Sequence, residues 1–396
     1  MKPLTWDAAV VGGGPAGCSA AIRLAQRGLR VILFEAKLYP HDKMCGEFLS
    51  PECAALMEPL GMGEAVRMLH PTVIHAARLT APDGTVWNTP LPGTAFGISR
   101  RLLDQTLAER ARDVGAVVEE GVTVNTVEGN LDEGFTVHAR GRDGDRAVRS
   151  RIVIGAHGKR AALDRALGRT FLHADSPFMA MKAHFNGPPI PGRIELHAFP
   201  GGYCGMSEIE EGMKVVCLLA DTRVFRAESG SGGPDAFFAW MQRQNPHLSA
   251  WLEQAERIHQ RWITIAQIPF GPKLAVDRDV IMAGDAAGLI VPLAGDGISM
   301  ALEGGQMAAQ WVMRYLEGNV DAAHLRAGYA RAWSDCFAFR LRLGRALQPL
   351  LLNPRMTGAA LRLLGMVPRV GAALVGRTRG RIQPAGSGQP DRLWTE

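Results

Sequence analysis

The chain has 396 residues, 47% of them hydrophobic and 21% charged, which fits a soluble globular enzyme with two or three lobes around a sizeable core. No apolar run reaches the ~18–20 residues of a membrane span, and the N-terminus reads as a strand rather than a signal peptide. The six cysteines form no CxxC pair and no Cys/His metal spacing, so reduced thiols, a cytoplasmic setting and no metal site are expected. The net charge of +5 is uneven. Nine arginines lie between Asp335 and Asp391 with no acidic residue among them, and no recognition element beside them argues for nucleic acid.

In chain order, residues 7–11 form a short apolar strand entering Gly12-Gly13-Gly14-Pro15-Ala16-Gly17. A small-residue helix over 18–27 follows, and Gly28 stops it. A second strand over 30–34 ends at Glu35 and Ala36. Strand, glycine turn, helix, strand, acid is the dinucleotide-binding βαβ pattern. Gly12 permits the tight turn, Gly14 lets backbone approach a pyrophosphate, and Gly17 lets helix and sheet pack closely. The helix N-terminus offers unpaired N–H groups to the anion. Glu35 accepts from a ribose diol and repels a 2′-phosphate, so the expected ligand carries an adenosine with a free 2′-hydroxyl, as in FAD or NAD.

Lys43-Met44-Cys45-Gly46-Glu47 comes next, before Ser50 and Pro51, which are expected to cap and open a helix reaching Leu60. A hairpin over 74–80 and 85–91 precedes a helix over 99–114 capped by Ser99. Strands follow over 116–119, 122–128, 135–139 and 147–154, the last running into Gly155-Ala156-His157-Gly158. From Thr170 to about Pro272 the pattern turns to short alternating strands (179–185, 193–199, 203–209, 213–220, 261–268) with helices over 233–244 and 247–256. Residues 279–283 return to the first sheet and lead to Gly284-Asp285, then Pro292 to Gly297, then a helix over 298–316. The remainder is helical, broken at Pro349, Pro354 and Pro368, with a polar tail from Pro384.

Three separated segments, GGGPAG, GAHGKR and VIMAGDAAGLIVPLAGDGISMAL, together resemble the FAD-dependent p-hydroxybenzoate-hydroxylase-like superfamily. KMCGEFLSPE is similar to the Lys-x-Cys-Gly-x-x-Leu-Ser-Pro run of its geranylgeranyl-reductase-like branch. The resemblance spans about residues 5–310. It implies an α/β fold: a discontinuous Rossmann-type FAD-binding domain (1–70, 98–170, 273–320), an inserted antiparallel β-sheet substrate lid (71–97, 171–272) and a C-terminal helical segment (321–396). It implies FAD held by Gly12, Gly14, Pro15, Ala16, Gly17, Glu35 and Ala36, with Arg100 or Arg101 near the pyrophosphate or ribityl chain. Cys45 and Gly46 would pass beside the isoalloxazine, and Asp285 would hold ribityl hydroxyls. Gly295, Gly297 and Ile298 would start a helix whose positive end faces the charge on reduced flavin. One departure is His157, where many relatives carry Asp in Gly-x-Asp-Gly. It reads equally as a cation near phosphates or as a turn histidine, and NADPH or NADH as transient reductant stays open.

FAD carries the hard chemistry in such proteins. Hydroxylation of a lipophilic aromatic, polyketide or isoprenoid substrate, through oxygen activated at the flavin C4a, is expected ahead of C=C reduction. The reason is that the reductases' Tyr-x-Trp-x-Phe-Pro run keeps only Phe199-Pro200 here. A pure electron relay is a third reading. Halogenation ranks low because Trp-x-Trp-x-Ile is absent. Cys45 and Glu47 are the catalytic candidates, and His184, His197, Tyr203 and Pro292 the substrate-binding ones; secondary metabolism is the expected setting. The basic C-terminal segment would either contact a membrane surface or a carrier protein, or pack on its own domain with its arginines in water.

Overall fold

The structure is a computed structural model; it describes residues 5–367 and positions 371 and 376. β1 (Thr5–Val11), α1 (Pro15–Ala25) and β2 (Val31–Glu35) form the opening unit. α1 starts earlier than expected, because Pro15 suits the first helical position: its φ is already fixed and it has no N–H to leave unpaired. Every residue of β2 is buried. The helix expected to be capped by Ser50 instead runs Cys53–Met57 with Glu52 at its cap position. The Ser50 carbonyl accepts from the Cys53 amide in the turn before it, 2.9 Å.

The chain continues through β3 (Thr72–Thr80), β4 (Val86–Gly97), α2 (Arg100–Asp113), β5 (Val117–Glu120), β6 (Thr123–Asn130), β7 (Gly134–Gly141) and β8 (Gly144–Gly155). The lid then supplies β9 (Phe178–Asn186), β10 (Arg193–Phe199), β11 (Gly202–Glu208), β12 (Lys214–Asp221), α3 (Gly233–Gln242), α4 (Pro246–Leu252) and β13 (Ile263–Ala266). β14 (Val280–Met282), α5 (Gly297–Leu316), α6 (Ala322–Leu352) and α7 (Pro354–Met366) complete it. A helix over Thr222–Ser229 was not anticipated; Asp221 caps it by accepting from the Arg223 amide.

Two sheets organise the molecule. The first runs β14, β8, β1, β2, β5 with all neighbours parallel, and the β6–β7–β8 meander extends it. The second runs β9, β12, β11, β10, β3, β4. It is antiparallel except where β10 lies parallel to β3. Phe48–Leu49 pairs with its far edge, so the segment after Cys45 joins the lid sheet.

Register decides what each lid side chain faces. Lys182, Cys217 and Gly205 align across three strands, as do Ala180, Leu219 and Tyr203, so these sets share one face. The opposite face presents Met181, Leu218, Cys204 and His197. α3 and α4 cover that outer face with Phe237, Met241, Leu248 and Leu252, each burial contributing about 1.5–3 kcal/mol. The inner face looks onto Ile268, Leu289, Leu293 and Leu351.

The C-terminal helices join the two halves. α6 runs straight through Pro349, where a break was expected. Pro349 forfeits the bond to the Arg345 carbonyl and its ring crowds that carbonyl, and the helix ends three residues later at Leu352. Asn353 then caps α7, accepting from the Arg355 and Met356 amides at 3.1 and 3.3 Å. The expected break at Pro368, the last four arginines of the basic stretch and the polar tail lie outside the described residues.

Candidate active site

The glycine turn is built by contact. Gly12 sits at φ +106°, and a Cβ there would overlap the Ala156 carbonyl. A Cβ on Gly17 would overlap the Gly12 carbonyl oxygen. No side chain caps α1, so its leading N–H groups point into the turn unclaimed by a cap. Glu35 lies just beyond, buried, its Oε2 accepting from the Gly13 amide at 2.9 Å. Its Oε1 accepts from the Lys37 amide and from Lys43 Nζ at 3.1 and 3.2 Å. Burial opposes its ionisation, yet Lys43 and the two amides outweigh burial and hold the carboxyl below its ordinary range. Tyr39 donates its hydroxyl to the Gly13 carbonyl and closes the turn from outside. Ala36 is exposed at the end of β2.

Arg100, the first residue of α2, reaches the same turn. Its guanidinium lies beside Gly14 and is held by a fork from buried Asp104, at 2.7 and 2.6 Å. Arg101 instead faces outward toward Asp42, so Arg100 is the arginine at the glycine turn. α5 crosses α1 where Gly305 meets the Ala16 backbone and Ser19 donates to the Leu302 carbonyl at 2.8 Å. That crossing fixes the start of α5. Gly295, at φ +68°, leads into it, Gly297 opens it and buried Ile298 follows. Asp285, Gly284, Gly297 and Met300 lie together at this point. Lys273 Nζ donates to the Asp285 carbonyl at 2.8 Å, and burial lowers its pKa to about 8.

The Cys45–Glu47 segment bridges the two sheets. Glu47 has φ +54° and is fully buried. Its Oε1 takes Lys182 Nζ and the Arg100 amide, the latter at 2.9 Å; its Oε2 meets His184 Nε2 at 2.7 Å. Burial would raise its pKa, but Lys182 and His184 more than offset this, and it stays below the usual carboxylate range. Cys45 is half-buried, and its Sγ accepts from the Glu47 amide at 3.3 Å. Cys217, on the inner face next to Lys182, feels Cys45 electrostatically; burial first, then that neighbour, push its thiol up to about 12. Gly46 is exposed with open space around it. Asp42, Glu47 and His184 lie close enough together to hold a cation, but Lys182 already places positive charge on Glu47.

Of the four substrate candidates, the structure brings two to this region. His184 is on the inner face, and Tyr203 is there too, its hydroxyl accepting from the Leu293 amide at 3.0 Å. Pro292 is exposed next to Leu293. His197 is a correction: it sits on the outer face, bonded to Thr80 Oγ1 at 2.8 Å and 3.1 Å from Glu195. His157 is held at the turn after β8. Its Nε2 meets Asp164 at 2.9 Å, and Asp164 also accepts from Arg169. Lys182, Lys43, Tyr39 and Cys217 were not anticipated. A lysine inside the apolar run 178–185 was the one available signal, since a buried lysine requires a partner.

These observations fit FAD. They are a turn whose Gly12, Gly13 and Gly17 leave no room for a Cβ, an uncapped helix start, a buried acid at the end of β2, an oriented arginine and a second helix start. The comparisons agree. Residues 5–330 match the FAD binding domain family. The chain belongs to this family. It is an FAD-dependent oxidoreductase related to reductases of the geranylgeranyl-reductase-like branch. It is 29% identical to the menaquinone reductase of Mycolicibacterium smegmatis, covering 88% of this chain and 85% of that one. It is 27% identical to the geranylgeranyl diphosphate reductase of Rhodobacter capsulatus, covering 84% and 82%. In fold it is similar to a geranylgeranyl bacteriochlorophyll reductase-like protein from Thermoplasma acidophilum, with TM-score 0.79, 20% identity and coverage of 96% and 97%.

Proposed function

We propose that this flavoprotein reduces a carbon–carbon double bond in a long apolar substrate of isoprenoid type, with NADPH or NADH reducing the flavin. The observation that carries the reading is the inner face of the lid sheet. It is apolar (Phe178, Leu196, Tyr203, Leu219, Phe270), and beside it Cys45, Lys182 and His184 gather around Glu47. Bound FAD supplies hydride transfer. The chain's own residues exclude water, hold the alkene and deliver one proton to the carbon beside the one reduced. The apolar inner face does the first two. The Cys45 thiol and the His184 imidazole carry exchangeable protons beside it, and Glu47 orients His184.

This order reverses the one expected from sequence. That expectation leaned on the missing Tyr and Trp of the reductases' run. The corresponding positions are Glu195 and His197, which pack on the outer side of the lid sheet, away from the apolar inner face. Menaquinone and geranylgeranyl diphosphate, named for the relatives, both bear isoprenoid chains and are the substrates to try first. Dithionite-reduced protein mixed with either under argon should reoxidise and give a product richer by two hydrogens per bond reduced. Cys45→Ala or His184→Ala should slow that step by about 10²-fold or more. A product carrying a new oxygen atom, formed only in air, would make the protein a monooxygenase and sink the reading.

A further inference from the structure

The C-terminal helices carry an exposed strip that the site does not use. Ten large hydrophobic side chains are exposed among the described residues, and five of them (Phe339, Met356, Leu363, Met366 and Val367) fall on α6, on α7 or just after it. Single exposed hydrophobics are ordinary, but a run along one helix marks a contact surface. On α7, Met356, Leu363 and Met366 share the outward side with Arg355 and Arg362, while Thr357, Gly358 and Leu361 turn inward. On α6, Arg342 is exposed beyond Phe339. Arg362 also pairs with Asp83, which ties α7 to the lid.

We propose that this strip docks on the surface of a bilayer containing anionic lipid. Charge selects that occupant: no acidic residue lies between Asp335 and Asp391, and although Arg340 is buried against Glu303, Arg342, Arg345 and Arg355 are exposed. Apolar side chains flanked by arginines suit an acyl–headgroup boundary, whose anionic headgroups meet the guanidinium groups. No helix among the described residues is long and apolar enough to cross a membrane, so the contact is peripheral. The inner side of the same helices packs toward the lid sheet. Leu361 and Leu364 of α7 pack with Leu79, and Leu79 also packs in the apolar cluster on the inner face of that sheet. Leu351, near the end of α6, belongs to the same cluster. The docked strip therefore sets the bilayer one helix away from that apolar face. The docking is independent of which reaction the flavin performs.

The test uses full-length, FAD-loaded protein with vesicles of phosphatidylcholine alone or with phosphatidylglycerol at about one part in three. Sedimentation, followed by flavin fluorescence, should show binding to the anionic vesicles and little to the neutral ones. The double variant Arg342→Gln/Arg355→Gln should weaken partitioning roughly fivefold for each arginine removed, and Leu363→Asp/Met366→Asp should abolish it. Both variants must keep the wild-type flavin spectrum and circular dichroism; Leu363→Ala serves if the aspartates disturb folding. Three outcomes overturn the proposal: no binding to anionic vesicles, binding that ignores the substitutions, or a strip that pairs two copies or captures an acyl carrier protein while leaving vesicles untouched. None of these readouts requires turnover, so failure here and failure of the reductase reading are separate results.

Discussion

Glu47 places one buried carboxylate between Lys182, His184 and an amide from α2. Removing one partner of a buried pair strands the other charge, which typically costs about 3–5 kcal/mol. Glu47→Ala should therefore lower stability by that order in urea unfolding, far more than loss of an exposed acid would. The pH dependence has a defined sign. The folded pKa of Glu47 lies below its ordinary 4.5, so the folded state binds its proton less readily than the unfolded chain. Its contribution is complete above about pH 4.5 and fades as pH falls through the folded value. The stability gap between wild type and Glu47→Gln should stay constant from pH 8 to about pH 5 and narrow below; a gap flat to pH 3 would show that the carboxylate is not held by charge. The KMCGE motif drew attention to Glu47. Its lysine partner was illegible because the pair spans 135 positions.

Elements differ in legibility for the same reason. The strand–turn–helix opening is local: Gly12, Gly17 and Glu35 act within one βαβ unit, and sequence alone locates them. Which face a lid residue presents depends on pairing with distant strands, and adjacent positions alternate. His197 was misplaced on that parity, although its strand was located well. The α1–α5 crossing was likewise invisible, since its contact joins Ser19 to Leu302 across 283 positions. That crossing sets where the start of α5 lies relative to the glycine turn. Gly305→Val should press on the Ala16 carbonyl and cost about 1–3 kcal/mol. FAD retention, read from the visible absorbance of the purified protein, should fall while helical content is kept. Full retention of FAD would mean that the crossing does not align the two ends of the site.

At the scale of the whole molecule, the candidate FAD site and the lid are one construction. Glu35 and Arg100 gather at one end, Asp285 and the start of α5 at the other, and the Cys45–Glu47 segment between them is bonded to β9 of the lid. Phe48–Leu49 continues into the lid sheet, and the last residue of α6 accepts from the Gly201 amide between β10 and β11. A ligand bound only by the folded chain stabilises all that must fold to bind it, by about 2.7 kcal/mol when present at 100 times its Kd. Stripping FAD should therefore lower the melting temperature of the entire chain in one transition, and restoring FAD should return it. Near-ultraviolet dichroism of the lid tryptophans Trp240, Trp251 and Trp262, which pack beside its outer cluster, would follow the same curve as the overall unfolding. Two transitions, with those tryptophans melting at a temperature that ignores FAD, would mean that Glu47 and its partners Lys182 and His184 do not couple the lid to the cofactor.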